Sequence, residues 1–162
     1  FGEFQGLNMF PIGLAILCLN TPICTLLSCD PDLEQAIRVL PGQAGRFCRK
    51  YCLFIFIING MIACIYLCSW QIIHGEVGLT HVGTVLPFAL QSAILSAILE
   101  WKHPIRDWKT ESDLWHHPRK YLVPLVMLLM AALVGTYEPV LWIWSAVLLI
   151  ECGVLLYTTR RD

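Results

Sequence analysis

Charge is what this sequence has least of. Only 14% of its 162 residues are Asp, Glu, Lys or Arg, against about 25% in an ordinary soluble domain. The scarcity is concentrated: residues 7–27, 51–73, 77–99 and 121–137 carry no such residue, and 140–157 carries one. Helices built from these runs would have almost no polar face to meet water, which argues against a soluble globular domain. Each run is long enough, or nearly so, to cross a bilayer, which takes about 20 apolar residues. The last two are short and are expected to stand nearly upright or in thin membrane. The composition therefore predicts an all-α fold, a polytopic transmembrane helical bundle in a single domain over 1–162, with mean hydropathy +0.64.

Other absences narrow the function. There is no G-x-x-x-x-G-K-[ST] stretch, so the chain cannot cradle nucleotide phosphates by the P-loop mechanism. There is no H-E-x-x-H pair, no internal repeat and no low-complexity tract. One side of the expected membrane lacks basic residues altogether. Residues 1–6, 74–80 and 138–139 hold Glu3, Glu76, Glu138 and His74, but no Lys or Arg. All eleven basic residues fall in loop 28–50, loop 100–120 or the C-terminal tail. Alternate loops of a five-span chain face alternate sides, so the positive-inside rule makes the basic loops cytoplasmic. The expected topology, in the plasma membrane, has the N-terminus outside and the C-terminus inside. The chain begins with Phe1, and its first span starts outside without a basic flank like that of a signal peptide. One more span is expected to precede residue 1, in a six-span parent with both ends inside.

What the chain does have in number is cysteine: eight, at 18, 24, 29, 48, 52, 64, 68 and 152. Nearly all lie in spans or on the cytoplasmic side, where thiols stay reduced. The pairs 48/52 and 64/68 have an i,i+4 spacing that can hold a metal, but they sit at different depths with no convergent His. Small apolar filler is the reading adopted, with no metal site.

The spans carry a few polar groups. Asn20 and Pro22 interrupt the first, and proline removes a helix donor. Asn59 lies midway along the second; Gln91, Ser92 and Ser96 share one side of the third; Glu151 lies inside the fifth. Such residues suit close helix contact or line a polar translocation path, and an intramembrane acid is a functional candidate. Aromatics at 51, 70, 101, 108, 115, 121, 137 and 157 are read as the interfacial belt.

The stretch "SCDPDLEQAIRVLPGQAGRFCRKY", residues 28–51, is the longest charged island in the first half. Asp30 is suited to N-cap a helix, Pro31 to its first position, and Asp32 and Glu34 to its first turn. Pro41-Gly42 stops it. Leu33, Ala36, Ile37 and Leu40 are spaced i, i+3, i+4 and i+7, an apolar stripe opposite Asp32, Gln35 and Arg38. So short a helix is marginal alone and needs a surface. Its acids are the wrong sign for an anionic leaflet, which favours a protein groove. The following basic cluster is expected to mark the start of the second span.

An acidic residue, a short amphipathic helix, "LPG" and a basic-aromatic start to a long span together resemble the permease subunits of type-2 ABC transporters. The resemblance implies that helix 31–40 is a coupling helix docking on a separate cytoplasmic ATP-binding subunit through Asp32, Leu33, Ala36, Ile37 and Leu40. It also implies a second permease copy, a lipid setting, export, and ATP and Mg held by the partner. This chain would be non-catalytic and would bind no nucleic acid. Two alternatives stay open. One is a small polytopic accessory or assembly protein. The other is a membrane-embedded enzyme using Glu100, His103, His116 and His117, joined by Glu151, since Glu and His bind zinc and activate water.

Overall fold

The computed structural model describes residues 3–4, 7–19, 23–39, 42–105 and 117–161. The molecule is a helical bundle, with one small antiparallel pairing of β1 (Glu3–Phe4) and β2 (Leu7–Asn8) at its start. Next come α1 (Met9–Leu17), a 3-10 turn (Ile23–Thr25), α2 (Leu26–Cys29) and α3 (Pro31–Val39). The long helices are α4 (Gln43–His74), α5 (Leu79–Lys102), α6 (Leu122–Thr136, preceded by a 3-10 turn Pro118–Tyr121) and α7 (Val140–Arg161).

Four helical stretches are long and apolar enough to cross a membrane: Gly45–His74, Leu79–Lys102, Pro118–Thr136 and Val140–Tyr157. Their outward faces are strongly apolar. Ile57, Ile65, Ile72, Leu125, Trp142 and Leu149 are each half or more exposed, an arrangement that stands in lipid and not in water. This is a membrane-embedded protein. In α5, 56% of the apolar window is buried, against 17–22% in the other three. α5 is therefore the hub against which the others pack. At its centre Phe88 meets Trp144 of α7 edge-on, with ring centroids 4.7 Å apart.

The first expected span, 7–27, is not one helix. α1 is capped by the Asn8 side chain, which accepts from the Phe10 N–H at 3.0 Å, and it stops at Leu17. Helical structure resumes only with the 3-10 turn at Ile23; Asn20 and Pro22, expected to interrupt the span, lie outside the described residues. The broken segment nevertheless runs the length of α5. Phe10 meets His81 with centroids 4.8 Å apart. Ser92 Oγ donates to the Cys18 carbonyl at 2.7 Å, and the Ser28 N–H donates to Glu100 at 2.9 Å. Between residues 81 and 100 an α-helix rises about 28 Å.

Two boundaries differ from expectation. α4 begins at Gln43 and not near 51, because Arg and Lys are good helix formers and the basic cluster continues the helix below its apolar part. Tyr51, expected in the interfacial belt, is 5% exposed, and its hydroxyl accepts from the Leu26 N–H at 3.4 Å. At the other end α4 stops where Gly75 takes φ 73°, its N–H donating to Gln71 O, a left-handed cap that favours glycine. There α1 lies close to α4: a Cβ on Gly13 would sit 2.3 Å from Tyr66 Oη. The glycine thus lets Phe10 stack on Tyr66 and meet Trp70, with centroids 5.1 and 5.2 Å away.

Candidate coupling site at the basic end of the bundle

α3 forms where the sequence predicts. Asp30 Oδ1 accepts from the Leu33 N–H at 3.1 Å, Asp32 and Glu34 occupy the first turn and Arg38 the last, all complementing the helix dipole. Its buried face, however, is turned from the expected one. Leu33 and Ile37 are half-buried against the chain itself, and Glu34 is 5% exposed. Ala36, assigned with them to one stripe, points outward beside Asp32, Gln35 and Val39, and these four line a shallow open concavity. Leu40 lies outside the described residues.

Arg38 accounts for the turn. Spacing puts it on the solvent side, yet its Nε donates to Glu34 Oε1 at 2.6 Å and its Nη2 to the Trp101 carbonyl at 2.8 Å. The guanidinium also lies 4.5 Å from the centre of the Trp101 ring. A planar fork can satisfy a carboxylate, a carbonyl and a ring face together, which an ammonium cannot. These bonds draw Glu34 under the arginine and fix α3 to the last turn of α5.

A second fastening lies one residue earlier on α5. Glu100 is fully buried. Its Oε2 accepts from the Ser28 N–H at 2.9 Å, and its Oε1 accepts from Ser28 Oγ at 2.8 Å and Arg119 Nη2 at 2.5 Å. Ser28 Oγ in turn accepts from the Ile105 N–H at 2.9 Å and from Arg119 Nη1 at 3.3 Å. The charged pair is thus hydrogen-bonded as a buried pair must be. It joins α2, the end of α5, the chain just after α5 and the start of α6. Ser28, just before α3, and Arg38, in its last turn, hold it to consecutive residues, Glu100 and Trp101.

The enzyme alternative places Glu100 with three histidines and Glu151, and the described members of that set are not brought together. Both oxygens of Glu100 are engaged as above. His103 is exposed, and His117 Nδ1 accepts from the Arg119 N–H at 3.3 Å; His116 lies outside the described residues. Glu151 instead accepts from Gln91 Nε2 at 3.1 Å, nine residues or about 13 Å along α5 from Glu100. Among the described residues no three His, Cys, Asp or Glu side chains converge to hold a metal.

The other polar residues of the spans make helix contacts. Asn59 Nδ2 donates to Ser92 Oγ at 3.1 Å, so with the Ser92 bond to Cys18 O one hydroxyl ties α4, α5 and the end of α1. The Trp144 indole donates to Gln91 Oε1 at 2.7 Å. An indole only donates, so it orients the amide and turns Nε2 toward Glu151. Ser96 is 1% exposed, lies beside the Cys24 thiol, and faces a small cavity lined also by Leu99 and Val123.

Sequence reasoning missed the parts played by Ser28, Glu34, Trp101 and Arg119. The available signals were an acid ending one apolar run, an arginine opening the next, and a serine just before the Asp30 cap. No protein-family model, curated protein or solved structure matches the chain, so the functional reading rests on these residues.

Proposed function

We propose that this chain is the membrane-spanning permease subunit of an ATP-driven transporter of the ABC type, an exporter paired with a second permease copy. It crosses the bilayer five times, the broken α1–α2 segment being the first passage, with its basic end in the cytoplasm. A separate ATPase holds ATP and Mg. The observation that carries the reading is the mounting of α3: one face is uncovered at Asp32, Gln35, Ala36 and Val39, while the helix is fastened on both flanks to Glu100 and Trp101. A helix exposed on one side and anchored on the other to the most buried helix can pass a push inward. Movement of the ATPase would load α3, and the Glu100–Trp101 turn would transmit it to α5, tilting the spans around a site between the two copies. Such coupling requires that the ATPase contact α3 differently in its nucleotide states.

The test is retention of the partner. The full chain extracted in mild detergent is expected to carry an ATPase with it. Ala36→Asp or Val39→Asp is expected to release that ATPase without changing the gel-filtration profile of the permease. Retention by both variants refutes docking through this face.

A further inference from the structure

The outward side of α4 carries its cations and its most lipid-exposed apolar residues in one line. Arg46, Arg49 and Lys50 are exposed, as are Leu53, Phe54, Ile57 and Met61. Each of the seven has another three or four positions away, which puts them all on one helix face. Gly45, Cys48, Tyr51, Cys52 and Ile55 are buried on the opposite face. The three cations therefore do not point into the bundle but continue the lipid-facing stripe beyond its apolar end.

Nothing within the helix neutralises them. Gln43–His74 contains no acid, and among the described residues no carboxylate pairs with Arg46, Arg49 or Lys50. Among the described residues their hydrogen bonding is limited to Arg49 Nε donating to Gly45 O at 3.1 Å, a bond that does not use the terminal nitrogens of that guanidinium. Arg46 is the fourth residue of α4, near the end where the helix dipole repels a cation. The local sequence thus places charge against its own helix, a conflict that a bound anion would relieve.

We infer that Arg46, Arg49 and Lys50 form a docking stripe for anionic phospholipid. The phosphate-bearing headgroup lies against the three cations, and the acyl chains run along Leu53, Phe54, Ile57 and Met61. Guanidinium groups bind phosphate by paired hydrogen bonds and ammonium as a point charge, and each cation near a charged leaflet changes affinity about fivefold. The inference needs the helix to stand in a bilayer but does not depend on an ATPase partner.

The experiment uses the full chain in mixed micelles containing equal phosphatidylglycerol and phosphatidylcholine, with bound lipid counted by native mass spectrometry. The wild-type chain is expected to retain phosphatidylglycerol at least tenfold over phosphatidylcholine, with the preference weakening as salt rises. The variant Arg46→Gln/Arg49→Gln/Lys50→Gln is expected to lose the preference, and Arg46→Lys/Arg49→Lys to keep most of it. If the triple variant does not fold, each single Gln variant is expected to reduce the preference about fivefold. No preference in the wild type, or an unchanged preference in the Gln variants, overturns the inference; the cations then serve only to set sidedness.

Discussion

Removing the Glu100 carboxylate tests whether the basic end is held as one unit. In Glu100→Gln the Arg119 guanidinium, 13% exposed, loses its counter-charge, and an amide replaces an oxygen that accepts from Ser28 or Arg119. At an effective dielectric of 20, two unit charges about 4 Å apart attract by about 4 kcal/mol. Breaking a buried pair from one side costs about 3–5 kcal/mol, because the remaining charge stays buried. Arg119→Gln is expected to cost a similar amount, and the double variant little more than either single one, since the partners then leave together. The coupling energy from the cycle is expected to be at least about 2 kcal/mol. The assay is reversible unfolding of the full chain in mixed micelles, followed by helical circular dichroism as denaturing detergent is added. Additive single effects, or losses under about 1 kcal/mol each, would refute the claim that this pair fastens α2, α5 and α6.

The same geometry sets the outcome of five further substitutions. Under the proposed function, Arg38→Ala is expected to leave an ATPase partner bound but abolish ATP-coupled transport in proteoliposomes, because the contact between α3 and Trp101 is cut while the outward face remains. Arg38→Lys should restore only part of that transport, lacking the planar fork. Asn59→Ala removes an interhelical donor and is expected to lower stability in micelles by about 1 kcal/mol, with Gln91→Leu, which strands both the indole N–H and Glu151, costing more. Gly13→Ala should lower stability by about 1–3 kcal/mol, since its Cβ displaces the Tyr66 ring from Phe10; an unchanged unfolding midpoint would contradict the packing of α1 on α4.

Hydropathy and caps carried the helical architecture. The four long apolar helices and the start of α3 lie close to where runs of Leu, Ile and Val and the Asp30 cap place them. What eluded sequence reasoning has physical reasons. A hydropathy window detects what lipid will accept and not where hydrogen bonding stops, so it leaves out the first two turns of α4. Helical periodicity groups Leu33, Ala36 and Ile37 but cannot see that a long arginine folds back to Trp101, drawing Glu34 inward and leaving Ala36 outside. The Glu100 cluster joins residues 72 and 19 positions away in sequence, and no local pattern encodes such a meeting. Glu100 looked like a metal ligand because its residue type and neighbours allowed it; the partners that engage its oxygens come from other helices.

The most direct test of the account is a photo-reactive amino acid in place of Val39, 72% exposed on the outer face of α3, irradiated in intact membranes. The account predicts an adduct with a protein that bears a P-loop, formed at different yield with and without nucleotide. An adduct with lipid alone, or the same yield in both nucleotide states, would contradict it.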